Sequence, residues 1–350
     1  MQEAAVVSAA GEDAVRIPGD GEVTEWPLLA VENLSVEFHR PRTTVQAVDG
    51  LSFVLRSGRS TAIVGESGSG KTVSSRAIMG LLPEYANVTG SVRLDGRELV
   101  GLNDRQLRRH RGSDIAMVFQ DPARSLDPTM RIGKQIREAI SSHLDLTKQE
   151  LEDRTIELLE MVRIPAARQR AREYPHQLSG GTRQRVMIAI ALACRPRLLI
   201  ADEATTALDV TTQAQIMRLL VDLREEMQMA MLIISHDLRL AASYSDDVVV
   251  MYASRVVEKA PTATLFESVR MPYTKALFDA IPKLELEAHT RLPAVPGVVP
   301  NSSGAVMGCA FAPRCSFVEQ RCLEERPPLA EGEPGHYWAC WFPYHQPAST

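Results

Sequence analysis

From residue 28 to residue 55 apolar and polar positions alternate, as in LLAVENLSVEF and VQAVDGLSFVL. Successive strand side chains point to opposite faces, so this period predicts paired strands with one buried face, joined by the polar turn His39 to Thr44 into a small antiparallel sheet. Residues 60–64 (STAIV) form a short apolar run instead, the pattern of a buried strand. That run leads directly into the glycine-rich segment GESGSGKT, after which residues 72–82 read as a helix that Pro83 stops.

Between Gln120 and Pro175 the period lengthens. Ile132, Ile136, Ile140 and Leu144 fall on one helical face, while Thr147 and Glu150 have the spacing of a capping box opening a helix that carries Leu151, Leu158, Leu159 and Val162. This predicts an inserted helical subdomain at about residues 121–178. Strand and helix patterns then alternate through residues 198–201, 211–226, 231–235 and 248–252, the rhythm of a parallel sheet flanked by helices. The expected organisation is a loose N-terminal tail over residues 1–27, a main α/β domain over 28–280 and an extension over 281–350. Pro282, Pro293, Pro296 and Pro300 punctuate the start of that extension, and its end holds four of the five cysteines.

Composition narrows the function classes. With 350 residues, 45% hydrophobic and 24% charged, the chain can bury a large core, which excludes a disordered or fibrous protein. Its longest apolar stretch, VMIAIALAC at 186–194, falls far short of the roughly 20 residues of a membrane span, so any membrane role must come through partners. The tail lacks the apolar core of a secretory signal, which points to the cytoplasm. A net charge of −5 argues against a nucleic-acid binder, and Arg105, Arg108, Arg109 and Arg111 read as a solvated helix face.

Three separated segments carry the chemistry. Gly65, Glu66, Ser67, Gly68, Ser69, Gly70, Lys71 and Thr72 satisfy G-x-x-x-x-G-K-[ST], in which backbone N–H groups close around phosphate oxygens at a helix N-terminus. Lys71 is placed to reach the β- and γ-phosphates, and Thr72 to ligate Mg²⁺. The apolar run 198–201 delivers Asp202 and Glu203 at a strand's carboxyl end, where open α/β sheets present their ligands. Asp202 suits the Mg²⁺ shell, and Glu203 is the candidate general base for water attacking the γ-phosphate. Ser179, Gly180 and Gly181, in LSGGTRQR, open a helix whose N-terminal amides offer a second anion site.

With these segments in the chain order GESGSGKT, LSGGTRQR and LLIADEA, the sequence resembles the ABC ATPase family. The resemblance implies an ABC-type fold: a RecA-like parallel-sheet core with an N-terminal antiparallel β subdomain, an inserted helical subdomain and a small Cys-rich C-terminal extension. It also implies that LSGGTRQR serves ATP held by an opposing subunit. Gln120 in AMVFQDP matches the family's Q-loop glutamine, near Mg²⁺ and the attacking water. Asp209 in TTALD matches the D-loop aspartate, His236 in IISHD the switch histidine that contacts the γ-phosphate, and Phe38 the A-loop position that stacks on adenine. Ala204 stands where relatives usually carry proline, a change that removes no functional group.

RLPAVPG at 291–297 and GCAFAPRC at 308–315 resemble the C-terminal extension of oligopeptide and dipeptide importer ATPases. Cys309, Cys315, Cys322 and Cys340 are separated by five, six and seventeen residues, and four clustered thiols in a cytosolic chain favour metal over disulfides. Spacing alone does not choose the metal. The resemblance implies a [4Fe–4S] cluster, with zinc the alternative. It implies further an Mg·ATP-hydrolysing subunit at the cytoplasmic face of the membrane, working as a heterodimer with a second related ATPase, two permease subunits and an extracytoplasmic peptide-binding protein. Nickel, glutathione or antibiotic-peptide importers use similar subunits, and a soluble non-transport ABC ATPase is the alternative from another class.

Overall fold

Two β-sheets packed through a shared core organise the chain, which the computed structural model describes at residues 27–40, 43–206, 208–280, 297 and 307–345. The expected N-terminal tail and the four spacer prolines lie outside the described residues, apart from Pro27 at the tail's end. In chain order the strands are β1 (Leu29–Arg40), β2 (Thr43–Leu55), β3 (Ser60–Val64), β4 (Ala86–Leu94), β5 (Arg97–Glu98) and β6 (Ile115–Val118). They continue with β7 (Leu198–Asp202), β8 (Ala230–Ser235), β9 (Asp247–Tyr252), β10 (Arg255–Pro261), β11 (Ala330–Glu333) and β12 (His336–Trp338).

The first sheet, in the order β2-β1-β4-β5, is antiparallel throughout. Its hairpin is longer than the polar turn predicts, because His39 pairs with Thr44 and Arg40 with Thr43. Leu29 and Val31 share the buried face with Leu34 and Val36, a change of phase made by a bulge at Asn33, whose φ is 49°.

The second sheet runs β11-β12-β10-β9-β3-β8-β7-β6, with β9, β3, β8, β7 and β6 mutually parallel. Its parallel strands are apolar on both faces. Ile63, Ile200 and Leu232 pack towards the antiparallel sheet, whereas Ala62, Leu199 and Ile233 pack towards the helices. The C-terminal region extends this sheet, as β12 pairs with β10 through Glu258↔Trp338 and Lys259↔Tyr337, and β11 closes the edge.

The capping box forms as predicted: Thr147 Oγ1 accepts from the Glu150 N–H at 3.3 Å, and the Glu150 carboxylate accepts from the Thr147 N–H at 2.8 Å, opening the helix Lys148–Met161. Ile132, Ile136 and Ile140 are fully buried, but their helix Ile132–Ser141 ends before Leu144, which is 40% exposed. There the Ser142 hydroxyl bonds back to the Glu138 carbonyl, competing with further helix. The helix after the glycine loop is likewise shorter than predicted, Lys71–Ile78. Gly80, at φ 62°, stops it: the Leu81 N–H bonds the Arg76 carbonyl and the Gly80 N–H that of Ala77, a Schellman motif three residues before Pro83. Arg111 is not simply solvated, because its guanidinium donates to the Met79 and Gly80 carbonyls at that helix end. Among the described residues no helix is long and apolar enough to cross a membrane.

Candidate active site

Four adjacent parallel strands, β3, β8, β7 and β6, end on one side of the second sheet, and the chemistry-bearing residues follow those ends. β3 feeds the loop 65–70, β8 leads to His236, β7 ends in Asp202 with Glu203 next, and β6 leads to Gln120. Carboxyl ends of parallel strands are where an open α/β sheet gathers its ligands.

The loop is shaped by close backbone approach. A Cβ on Gly65 would stand 2.1 Å from the Met251 carbonyl oxygen, and one on Gly70 (φ 100°) 2.3 Å from that of Ala47, so both positions exclude any side chain. Gly68, at φ 82°, faces open space. Lys71 is 3% exposed, and its Nζ donates to the carbonyls of Gly65 at 2.7 Å and Glu66 at 3.0 Å. Burial holds the Lys71 pKa below its ordinary value, against the opposing pull of Glu203, Asp202 and Glu66. Ser69 Oγ is buried in the loop with no hydrogen-bond partner, a donor free for an acceptor such as a phosphate oxygen.

Thr72 Oγ1 donates to Asp202 Oδ1 at 3.1 Å. Burial raises the Asp202 pKa, partly offset by that hydrogen bond. One carboxylate beside a hydroxyl is a donor set that fits Mg²⁺, which usually takes one or two protein carboxylates and completes its shell with water and substrate phosphates. Glu203 has φ 47°, and its N–H is fixed on the Ile234 carbonyl at 3.0 Å. Its carboxylate accepts from Gln120 Nε2 at 2.7 Å and from Thr206 Oγ1 at 3.3 Å, with His236 Nδ1 at 3.7 Å. Sequence reasoning missed Thr206, although it lies within the quoted segment TTALD. The absent proline leaves Ala204 packed, 5% exposed.

The other candidates make contacts of their own. Ser179 caps the helix Gly180–Ala191, with its Oγ accepting from the Thr182 N–H at 3.3 Å. A Cβ on Gly181 would meet Thr212 at 2.8 Å, so this turn sits tightly on the start of the helix Val210–Met227. Asp209 caps that helix, accepting from the Thr212 N–H at 3.0 Å. Among the described residues no hydrogen bond or ion pair joins Ser179, Gly180, Gly181 or Asp209 to the phosphate loop. Phe38 is half-buried on β1, its ring centroid 5.9 Å from that of Tyr85.

The profile of the ABC transporter family matches residues 48–206, and that of the oligopeptide/dipeptide transporter C-terminal region matches 257–322. A probable peptide ABC transporter ATP-binding protein of Sinorhizobium fredii is 46% identical over 316 residues, 90% of this chain and 94% of that protein. The chain belongs to the ATP-binding subunits of this ABC transporter family. Members hydrolyse ATP to drive transport, and this chain is such an ABC ATPase. The oligopeptide transport ATP-binding protein OppD of Mycobacterium bovis is 48% identical over 315 residues, 90% of this chain, which spans about half, 52%, of that protein's length. A dimeric post-hydrolysis structure of the ATP-binding cassette MJ0796, bound to ADP and phosphate, superposes with a TM-score of 0.60 at 28% identity, over 67% of this chain and 98% of the cassette.

The cysteine expectation is corrected. Cys309, Cys315, Cys322 and Cys340 are free thiols that line one small cavity, of about 10 Å³, with Phe311, Pro327 and Trp341. Among the described residues no group of three or more His, Cys, Asp or Glu side chains could hold a metal ion, so neither the [4Fe–4S] cluster nor zinc is supported. Burial in this apolar wall raises the pKa of Cys309 and Cys315 and pushes Cys340 up to about 12. A thiol whose folded pKa exceeds its unfolded value stabilises the fold fully below the unfolded value, near 9, and loses that contribution as pH rises towards about 12. Urea midpoints of the ABC ATPase subunit therefore fall over that alkaline window, and fall less in Cys340→Ala; an equal decline in both proteins removes Cys340 as the cause.

Proposed function

We propose that this subunit powers import of oligopeptides or dipeptides by hydrolysing Mg·ATP between two ATPase subunits. The observation that carries the reading is the convergence of Lys71, Asp202, Glu203, Gln120 and His236 at adjacent strand ends, with Gln120 bonded to Glu203 at 2.7 Å. The backbone of residues 65–72 wraps the triphosphate, and Lys71 turns its ammonium from the Gly65 and Glu66 carbonyls to the phosphate oxygens. Thr72, Asp202 and Gln120 would hold Mg²⁺, which would neutralise charge on the phosphates. Glu203 takes the proton of the attacking water while Gln120 fixes the direction of its carboxylate, and His236 contacts the γ-phosphate. Phe38 packs on adenine.

Ser179, Gly180, Gly181 and Asp209 face the opposing subunit in this reading, which accords with the lack, among the described residues, of a hydrogen bond from them to this chain's own loop. One phosphate loop and one LSGG turn per chain require a second cassette, here a related ATPase in a heterodimer. Two permease subunits anchor the pair at the cytoplasmic face of the membrane, and an extracytoplasmic peptide-binding protein delivers cargo. The domain limits proposed are a tail to residue 27, a cassette over 28–280 with its helical insertion at 121–178, and the extension over 281–350. The likeness to a peptide ABC transporter ATP-binding protein and to an oligopeptide transport ATP-binding protein supports the cargo. The test is purification of the tagged subunit from mild-detergent extracts of membranes. Two multispanning proteins and a second ATPase are expected at stoichiometric amounts, with peptide uptake lost when the subunit is deleted. A soluble partner set without membrane proteins overturns the transport reading.

A further inference from the structure

Glu66, the second residue of the phosphate loop, is gripped by residues distant in sequence. Arg314 meets its carboxylate with both prongs of the guanidinium, Nη1 to Oε2 at 2.6 Å and Nη2 to Oε1 at 2.9 Å, across 248 residues of chain. The Glu66 N–H donates to the Tyr273 hydroxyl at 2.9 Å, and the Glu66 carbonyl is one of the two acceptors of Lys71 Nζ. Arg314 belongs to the segment GCAFAPRC of the C-terminal region, which the ATPase chemistry above leaves without a role.

The Arg314 side chain is only 3% exposed. Its Nη1 also donates to the Tyr252 hydroxyl at 3.2 Å, and the guanidinium lies 5.7 Å from the Tyr252 ring centroid and 5.9 Å from that of Phe311. Gly297, from the other extension motif, packs on its stem: a Cβ there would stand 3.1 Å from Arg314 Cγ. A planar fork matched to a carboxylate fixes orientation as well as distance, and aromatic walls that exclude water strengthen it. Turning the Glu66 side chain away would break both of these charge-assisted hydrogen bonds at a buried guanidinium. The Glu66 peptide is therefore set from both sides, and the carbonyl that anchors Lys71 is set with it.

We infer that Arg314 is a positioning residue of the ATP site, through which the docked C-terminal region sets the conformation of the phosphate loop and hence the affinity for ATP. The inference rests on reading residues 65–72 as the ATP loop. It makes the C-terminal region a wall of the nucleotide site.

The experiment is ATP titration of the purified full chain as parent, Arg314→Gln, Glu66→Gln, the double variant and Arg314→Lys, with thermal melts alongside. Both single variants are expected to raise the Kd for ATP about tenfold, the scale of one lost charge-assisted contact. The double variant is expected to be no worse than either single, because both break the same pair. Arg314→Lys should fall between parent and Arg314→Gln, since an ammonium keeps the charge but not the fork. Glu66→Gln, at a side chain 24% exposed, reads the same contact should Arg314→Gln fail to fold. A parent-like Kd in Glu66→Gln, or losses that add in the double variant, overturns the positioning role while ATP binding by the parent leaves the ATP reading intact. A parent that binds no ATP overturns both.

Discussion

Glu203→Gln lowers ATP turnover by about 10²- to 10³-fold, the scale of a lost general base, while ATP affinity stays within a few-fold of the parent. The substitution changes one oxygen to an amide nitrogen, so shape and packing at a side chain 14% exposed are kept. The remaining carbonyl oxygen, in the place of Oε2, can still accept from Gln120 Nε2 at 2.7 Å and from Thr206 Oγ1 at 3.3 Å, and the new amide takes the place of Oε1, which faces His236. What is lost is the ability to accept a proton from water. The ground-state complex forms and stalls, so the variant accumulates as a nucleotide-bound closed dimer, visible by size-exclusion chromatography with ATP and Mg²⁺. Turnover near the parent rate would assign the base elsewhere, with His236 next in line at 3.7 Å from the same carboxylate.

Lys71→Met weakens ATP binding by about 100-fold, a larger loss than one neutral hydrogen bond gives. Methionine fills much of the lysine stem's volume, so packing survives. The charge does not. Burial lowers the lysine pKa, and the field of Glu203, Asp202 and Glu66 around this position only partly opposes it. Without the ammonium, the Glu203 and Asp202 carboxylates face an incoming polyanion while that of Glu66 stays paired with Arg314, and the carbonyls of Gly65 and Glu66 lose their shared donor. Equilibrium titration with ATP and with adenosine separates the causes: ATP affinity collapses and adenosine affinity does not. Equal losses for both ligands would mean that the loop had unfolded and would remove the charge argument.

How much of this was legible in the sequence follows the range over which each feature is decided. The capping box at Thr147 and Glu150 and the strand Ser60–Val64 are set by residues within a few positions of one another, and in both the sequence pattern and the structure agree. The helix end at Gly80 is also local, but two stop signals lay close together and the glycine acts before the proline. Leu144 continued a period whose helix had already stopped, and periodicity carries no record of a serine bonding back to a carbonyl. Gln120, Glu203 and His236 could be named from motif order, yet their meeting depends on the order β3-β8-β7-β6, which no segment contains. The same holds for Arg314, whose partner is 248 residues away, and for the cysteines, whose spacing said nothing of the apolar wall around them.

Strand β3 has no neighbour close to it in the chain. It pairs with β8 on one side and β9 on the other, and Asp246, which fixes Ser60 at the strand's start, lies 186 residues downstream. A ribosome adding about 5–20 residues per second needs roughly 10 to 40 seconds to cover that interval. Until β8 (Ala230–Ser235) has been made, the nascent polypeptide carries STAIV as an unpaired apolar strand with both edges open, and one edge stays open until β9 follows, the kind of segment that templates aggregation. Biogenesis, rather than the finished enzyme, is then where this topology is most vulnerable, and a slow or stalled translation between β7 and β9 is the moment at which a holding chaperone would matter most.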